Sequence, residues 1–186
     1  MADTFLVYKP YGMLSQFTRE APHHRTLADL DFEFPKDVYP VGRLDHDSEG
    51  LLLLTNDKFL NQQLLHPKKK APKTYWAQVE GDPSNADLEP LRRGVALRIK
   101  GKEHRTLPAR VRRLEIEPKL PERDPPVRFR KSIPDTWLEI ELIEGKNRQV
   151  RRMCAKVGFP VLRLVRVRMA GYGIGGMVPG EVRSTK

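Results

Sequence analysis

A chain of 186 residues with 39% apolar side chains suits one domain of ordinary size and can bury a core, which excludes a disordered chain. Lys and Arg number 34 against 24 Asp and Glu, and the net charge of +10 favours a polyanionic partner, nucleic acid first. The single cysteine, Cys154, excludes an internal disulfide framework and suits a reducing cytoplasm, while no apolar run approaches the length of a membrane-spanning helix.

Phe5-Leu6-Val7-Tyr8 reads as a strand, ended by the turn Lys9-Pro10-Tyr11-Gly12. Met1 to Thr4 lacks the basic-then-apolar order of a signal peptide. Thr26 to Leu30 predicts a short capped helix, and Val38 to Val41 leads into a crowded polar stretch, Gly42-Arg43-Leu44-Asp45-His46-Asp47-Ser48-Glu49-Gly50. The four leucines that follow, Leu51 to Leu54, read as a strand buried on both faces. Asn56 or Asp57 caps a helix with Leu60 and Leu64 on one face, stopping near Pro67. Lys68, Lys69, Lys70 and Lys73 make a basic loop before a strand over Thr74 to Glu80. Its alternation puts Tyr75, Ala77 and Val79 on one face and Trp76, Gln78 and Glu80 on the other.

Pro83 to Gly94 predicts a helix with Leu88 and Leu91 inward, and Val95 to Ile99 and Pro108 to Glu117 predict strands. Pro118 to Pro134 is a loop rich in Pro and Arg, with Arg128, Arg130 and Lys131 offered to nucleic acid. Trp137 to Leu142 alternates cleanly as a strand. Asn147 to Val157 carries Val150, Met153, Cys154 and Val157 at helical spacing, so Cys154 reads as a small buried hydrophobe. Arg148, Arg151, Arg152 and Lys156 occupy the rest of that helix. Val161 to Met169 is a final strand, and the Gly-rich end, Gly171 to Gly180, is a loop; no helix follows it, so it is no nucleotide fingerprint. Strands outnumber helices. The fold class is therefore α+β, with a mixed, mainly antiparallel sheet and flanking helices, in one domain or one with two lobes about a central cleft.

The polar stretch allows three chemistries. A calcium loop fits Asp45, Asp47, Glu49 and Gly50 but fails at its twelfth position, which is Asn56 rather than a bidentate Glu. A magnesium site using the three acids needs an extended segment, whereas Ser48-Glu49-Gly50 reads as a turn. The third is a single carboxylate acting on a nucleic acid, kept ionised by a nearby cation that the Arg148–Arg152 helix can supply. The five histidines form no metal-ligand spacing with Cys154, so no metal is expected.

Gly42-Arg43-Leu44-Asp45 with Ser48 to Asn56 resembles the catalytic motif of bacterial ribosomal RNA pseudouridine synthases, the group typified by a small-subunit synthase. Leu6 to Gly12, Lys73-Thr74-Tyr75 and Glu144 to Met153 resemble three further motifs of that family in the right order. Gln16-Phe17-Thr18, Arg128 to Pro134 and Gly158-Phe159-Pro160 point to its large-subunit branch. Many relatives carry an S4 RNA-binding domain ahead of the catalytic one; with a strand starting at Phe5, none is expected here.

The resemblance implies isomerisation of a uridine in 23S ribosomal RNA, by a monomeric cytoplasmic enzyme with no cofactor. Asp45 becomes the catalytic carboxylate, attacking C1′ or removing the C2′ proton. Tyr75 is the aromatic that stacks on uracil, and Arg151 the arginine that pairs with Asp45, with Arg148 or Arg152 as substitute. Arg43 fills the gap left by the flipped base or forms an internal salt bridge. Leu52 and Val150 shape the apolar pocket. His46 stands where relatives often have Arg. Lys68, Lys69, Lys70, Lys73, Arg128, Arg130 and Lys131 position the RNA. The rival reading is a non-catalytic RNA-binding assembly factor on the same fold, which has no use for Asp45, Tyr75 and Arg151 together.

Overall fold

The computed structural model describes all 186 residues. Strand β1 (Thr4–Lys9) is followed by a 3-10 turn, Leu27–Asp29, so the helix expected there is a single turn. Its capping box holds it: the Ala28 amide donates to the Thr26 hydroxyl, and the Thr26 amide to Asp29. Next come β2 (Tyr39–Pro40), β3 (Glu49–Thr55) and helix α1 (Lys58–Leu65), where Asp57 accepts from the Phe59 and Leu60 amides. The chain continues through β4 (Lys73–Glu80), α2 (Asn85–Arg93), the hairpin β5 (Ala96–Ile99) and β6 (Lys102–Arg105), and β7 (Arg110–Arg113). It ends with β8 (Asp135–Leu142), α3 (Gln149–Lys156), β9 (Val161–Met169), β10 (Tyr172–Gly173) and β11 (Val182–Ser184).

The main sheet runs β11-β1-β3-β9-β4-β8-β7, with β2 against β3 and β10 against β9. Only β3 and β9 pair in parallel; the other pairings are antiparallel. This is the expected α+β fold with its mixed, mainly antiparallel sheet. All seven residues of β3 are buried, because the strand has neighbours on both edges and apolar layers on both faces.

Some boundaries differ from expectation. Glu49 and Gly50, read as part of a turn, begin β3: Gly50 lies between Lys9 of β1 and Arg166 of β9. A Cβ on Gly50 would stand 2.2 Å from the Arg166 carbonyl oxygen, and its φ is +102°, so glycine is what lets three strands close up here. The strand expected from Pro108 to Glu117 shortens to Arg110–Arg113, beyond which Ile116 is 83% exposed with nothing to pack on. The Gly-rich end supplies β10 and leads into β11 on the edge of β1.

Strand register divides the core. Leu164 and Arg166 of β9 face the same side as Tyr75 and Ala77 of β4 and as Gly50 and Leu52 of β3. On that side one cluster joins Ala77, Leu138 and Ile140 to Leu88, Leu91, Val150, Met153 and Cys154. A second joins Val7, Leu52 and Leu54 to Met13, Leu27 and Leu44. Leu51, Leu53, Val165 and Val167 pack on the opposite face with Leu64 and Met177. Burial pushes the Cys154 thiol up to about 12, in keeping with an inert core side chain.

Candidate active site

The Arg43–Ser48 loop is clamped onto the turn after β1. The Leu44 amide donates to the Ser15 hydroxyl at 3.0 Å, and that hydroxyl donates back to the Leu44 carbonyl at 2.8 Å. The Gly12 amide donates to the His46 carbonyl, and the buried Lys9 ammonium donates to the carbonyls of Met13, Pro10 and His46. Desolvation draws the Lys9 pKa down to about 7 against the pull of Glu49, Asp47 and Asp45. With Ser48 donating to the Asp45 carbonyl, the backbone of Asp45 is fixed while its side chain stays one-third exposed.

Two arginines of α3 meet this loop. Arg148, held at φ 50° ahead of the helix, forks onto Asp47 with bonds of 2.9 and 2.8 Å and lies 3.5 Å from the Asp45 carboxylate. Arg151 donates to the Asp47 carbonyl at 2.8 Å and lies 3.7 Å from its carboxylate. Burial pushes the Asp47 carboxyl up, but the Arg148 hydrogen bonds and the Arg151 and Arg148 charges outweigh it and bring it to about 2. The pairing expected between Arg151 and Asp45 is therefore corrected: the cation beside Asp45 is Arg148, one of the two substitutes, because Asp47 takes up Arg151. Arg152 turns outward to Asn147 and the Arg98 carbonyl.

Asp45 opens onto a cleft of about 620 Å³ that also takes in Tyr75, Lys73, Lys70, Val150, Arg148 and Arg166. Tyr75 and Lys73 share a face of β4, so strand period alone sets both in the cleft wall. Lys73, expected in the basic loop, opens β4 instead and is half-buried. Lys68 and Lys69 form an exposed turn beside the cleft, Pro67–Lys69. Leu52 is fully buried in the cluster beneath Leu44 and does not line the cleft, a correction that follows from its facing β1 and the loop rather than open space. Leu44 and Leu164 take that place in the wall. Arg43 is exposed at the cleft edge and donates to Gln16 at 3.1 Å, forming no salt bridge to Asp47 or Glu49; His46 is exposed as well. Arg128, Arg130 and Lys131 lie away from the cleft, since Arg130 pairs with Glu80 at the far end of β4 from Lys73.

Several contributors were not anticipated. Glu49 is buried in a two-point bond with Arg163, at 3.0 and 2.9 Å. Glu144 accepts from Gln149 and the Leu107 amide and pairs with His104 at 3.0 Å, tying the β5–β6 segment to the start of α3. Arg163 and Arg166 carried a signal in their placement inside an otherwise apolar strand, but no local pattern names their partners.

A family model described as RNA pseudouridylate synthase matches residues 3–156. Ribosomal large subunit pseudouridine synthase E of Xanthomonas campestris pv. campestris is 55% identical over 179 residues, 96% of this chain and 92% of the relative. Its namesake in Vibrio vulnificus is 58% identical over 173 residues, 93% of this chain and 70% of the relative. These names lie in the large-subunit branch to which the motifs pointed, not with the small-subunit synthase that typifies the group. A crystal structure of a pseudouridylate synthase superposes with a TM-score of 0.78 at 24% identity, covering 100% of this chain and 71% of the other, so the fold is shared. The ordered motifs, the cleft around Asp45 and these matches converge: the chain belongs to the RNA pseudouridylate synthase family.

Proposed function

We propose that this chain isomerises a uridine of 23S ribosomal RNA to pseudouridine, with Asp45 as the catalytic carboxylate. The observation that carries the reading is the Asp45 side chain: backbone-clamped, beside Arg148, and open to a cleft that Tyr75 lines. In the reaction the N1–C1′ bond breaks, the uracil turns, and C5 bonds to C1′ before losing its proton. Asp45 takes part either by attacking C1′ or by removing the C2′ proton. Tyr75 stacks on the base, and Val150 closes the apolar wall. Arg148 keeps a cation beside Asp45, while Arg151 and Asp47 hold the loop.

A uridine in folded RNA must leave its stack, which costs a few kcal/mol and is offset by stacking and phosphate contacts. Lys68, Lys69 and Lys70 stand where the flanking backbone would cross the rim, with Arg43 also at the cleft edge and His46 on the exposed side of the loop. Arg128, Arg130, Lys131 and Arg152 are left for more distant RNA. The chain acts as a single catalytic unit and as a monomer, the two apolar clusters on the Tyr75 side of the sheet flanking the cleft. RNA affinity then falls steeply with salt.

The test is tritium release from [5-³H]uridine-labelled 23S rRNA, with Asp45→Asn alongside. Release by the wild type, abolished in the variant with RNA binding retained, supports the proposal. No release from fragments of any rRNA domain, with binding intact, leaves the RNA-binding assembly factor instead.

A further inference from the structure

The cleft wall behind Tyr75 contains two cations that neither the Asp45 loop nor the rim uses. Arg166 lies directly across from Tyr75 on β9 and beside Gly50 on β3, and it is 4% exposed. Its Nε donates to the Leu51 carbonyl at 2.9 Å, whereas its Nη2 is shut from solvent and has no hydrogen-bond partner. Lys73 is on the Tyr75 face of β4, two residues away, and its ammonium bonds only to the Ala71 carbonyl, at 3.2 Å. Burial holds Lys73 below the ordinary lysine range, and the neighbouring Arg166 charge adds to that. Both line the cleft with Asp45 and Tyr75.

A charged donor left unbonded inside a protein carries its full desolvation penalty, so a buried guanidinium with a spare N–H is costly unless an acceptor arrives. The acceptor must reach deep beside an aromatic ring, and because Nη2 is closed to solvent the guanidinium must turn toward the cleft to meet it. A flat base fits that approach, whereas the phosphates of the same strand stay outside with the backbone, near Lys70. The chemistry proposed for Asp45 also generates charge on the base. When N1–C1′ breaks, its electron pair passes to N1 and spreads onto O2 and O4, so the uracil is an anion until C5 bonds to C1′.

We propose that Arg166, with Lys73 beside it, takes up this charge: the free Nη2–H donates to a carbonyl oxygen of the departing uracil and strengthens as the bond breaks. This rests on the uridine isomerisation proposed above. The electrons balance without a co-reactant. The pair that leaves C1′ is matched there by Asp45, through a new C–O bond or through the C2′ electrons released when it takes that proton. The base then forms the C5–C1′ bond as the Asp45 C–O bond breaks, or as Asp45 returns its proton to C2′, and the C5 proton departs last. A donor in a water-poor wall acts strongly on such developing charge.

The test is single-turnover pseudouridine formation on a 23S rRNA transcript by Arg166→Met, Arg166→Lys and Lys73→Met, with RNA affinity measured across salt. Arg166→Met is expected to slow the bound RNA's conversion by roughly 10²–10³-fold, the usual consequence of deleting one such donor. Affinity and salt slope stay those of the wild type, and Arg166→Lys recovers part of the rate. On a transcript made with 5-fluorouridine, whose fluorine already stabilises the base anion, N1–C1′ cleavage by Arg166→Met lags the wild type by less. An equal lag on both substrates overturns the proposal. So does a weakened affinity with a salt slope reduced by about 1 and an intact bound rate, which would make the pair a phosphate contact. Should Arg166→Met fail to fold, Lys73→Met, at a half-buried position, decides on the same split between rate and affinity. A wild type inactive on 23S rRNA overturns the isomerisation reading and this one together, whereas active variants overturn this one alone.

Discussion

Asp45 and Glu49 stand four residues apart in one segment and have opposite surroundings. Glu49 is 1% exposed and receives two hydrogen bonds from Arg163, which also donates to the Pro121 carbonyl. Asp45 keeps a third of its side chain in the cleft and has one cation, at 3.5 Å. The loop around Asp45 is held through backbone, Ser15, Lys9 and the neighbouring Asp47, so the carboxylate itself is not needed for the fold. A buried charge is stable only when paired, and a paired charge is spent. Reactivity is left to the acid that others hold in place.

Asp45→Asn puts the contrast at greatest risk. Turnover should fall at least about 10³-fold, as when a central catalytic group is removed, while stability moves by less than about 0.5 kcal/mol. Tritium release and a thermal melt on the same preparation check both halves. A large loss of stability would place Asp45 with Glu49 as a structural acid.

Glu49→Gln should do the reverse. Leaving the Arg163 guanidinium buried without its partner destabilises by about 3–5 kcal/mol, read from urea unfolding. The double change Glu49→Leu with Arg163→Met should recover most of that, and whatever stays folded should retain turnover.

Asp47 lies between the two cases and gives the contrast a pH axis. Its folded pKa is about 2, below the ordinary aspartate value of 3.8. Above 3.8 its stabilising contribution is therefore complete, and as pH falls from there through about 2 it is lost. Half-buried as it is, the amount is about 2 kcal/mol. Asp47→Asn should lower stability at neutral pH and flatten the decline between pH 4 and 2. An unchanged acid slope would show that the Arg148 fork does not hold the loop.

Arg43→Ala should have the smallest effect on the fold. Its only hydrogen bond is the exposed one to Gln16, so stability should shift by less than about 0.5 kcal/mol. Any consequence should appear in RNA affinity and its salt slope. A marked loss of stability would mean that Arg43 belongs to the clamp with Ser15.

Most regular elements were legible because their cues are local. Alternation marked β4 and β8, Asn56 or Asp57 marked the start of α1, the span from Pro83 to Gly94 marked α2, and the leucine run marked β3. The hairpin strand β6 and the edge strand β11 were missed. Their residues are largely exposed, so apolar periodicity is absent and pairing alone makes them strands. At the site, Asp45, Tyr75, Lys73 and Val150 were found from their motifs and are brought together in the cleft. Leu52 was misplaced because a strand buried on both faces gives no sign of which face lies under open space. The RNA contact at Arg128, Arg130 and Lys131 was read from charge, and charge does not say at which end of a sheet a loop will settle.

The amino-acid sequence by itself determined the fold class, the order of elements and the segment that carries the reactive acid. Those follow from periodicity, capping and the family's ordered motifs. Only the tertiary structure decided which arginine meets which acid. Arg148 and Asp47 are 101 positions apart, and Arg163 and Glu49 are 114 apart. Over such separations the partner is chosen by strand register and helix placement, which bring Arg148 rather than Arg151 alongside Asp45. The same register sets Arg166 opposite Tyr75 with one N–H unused, a juxtaposition that no local spacing encodes.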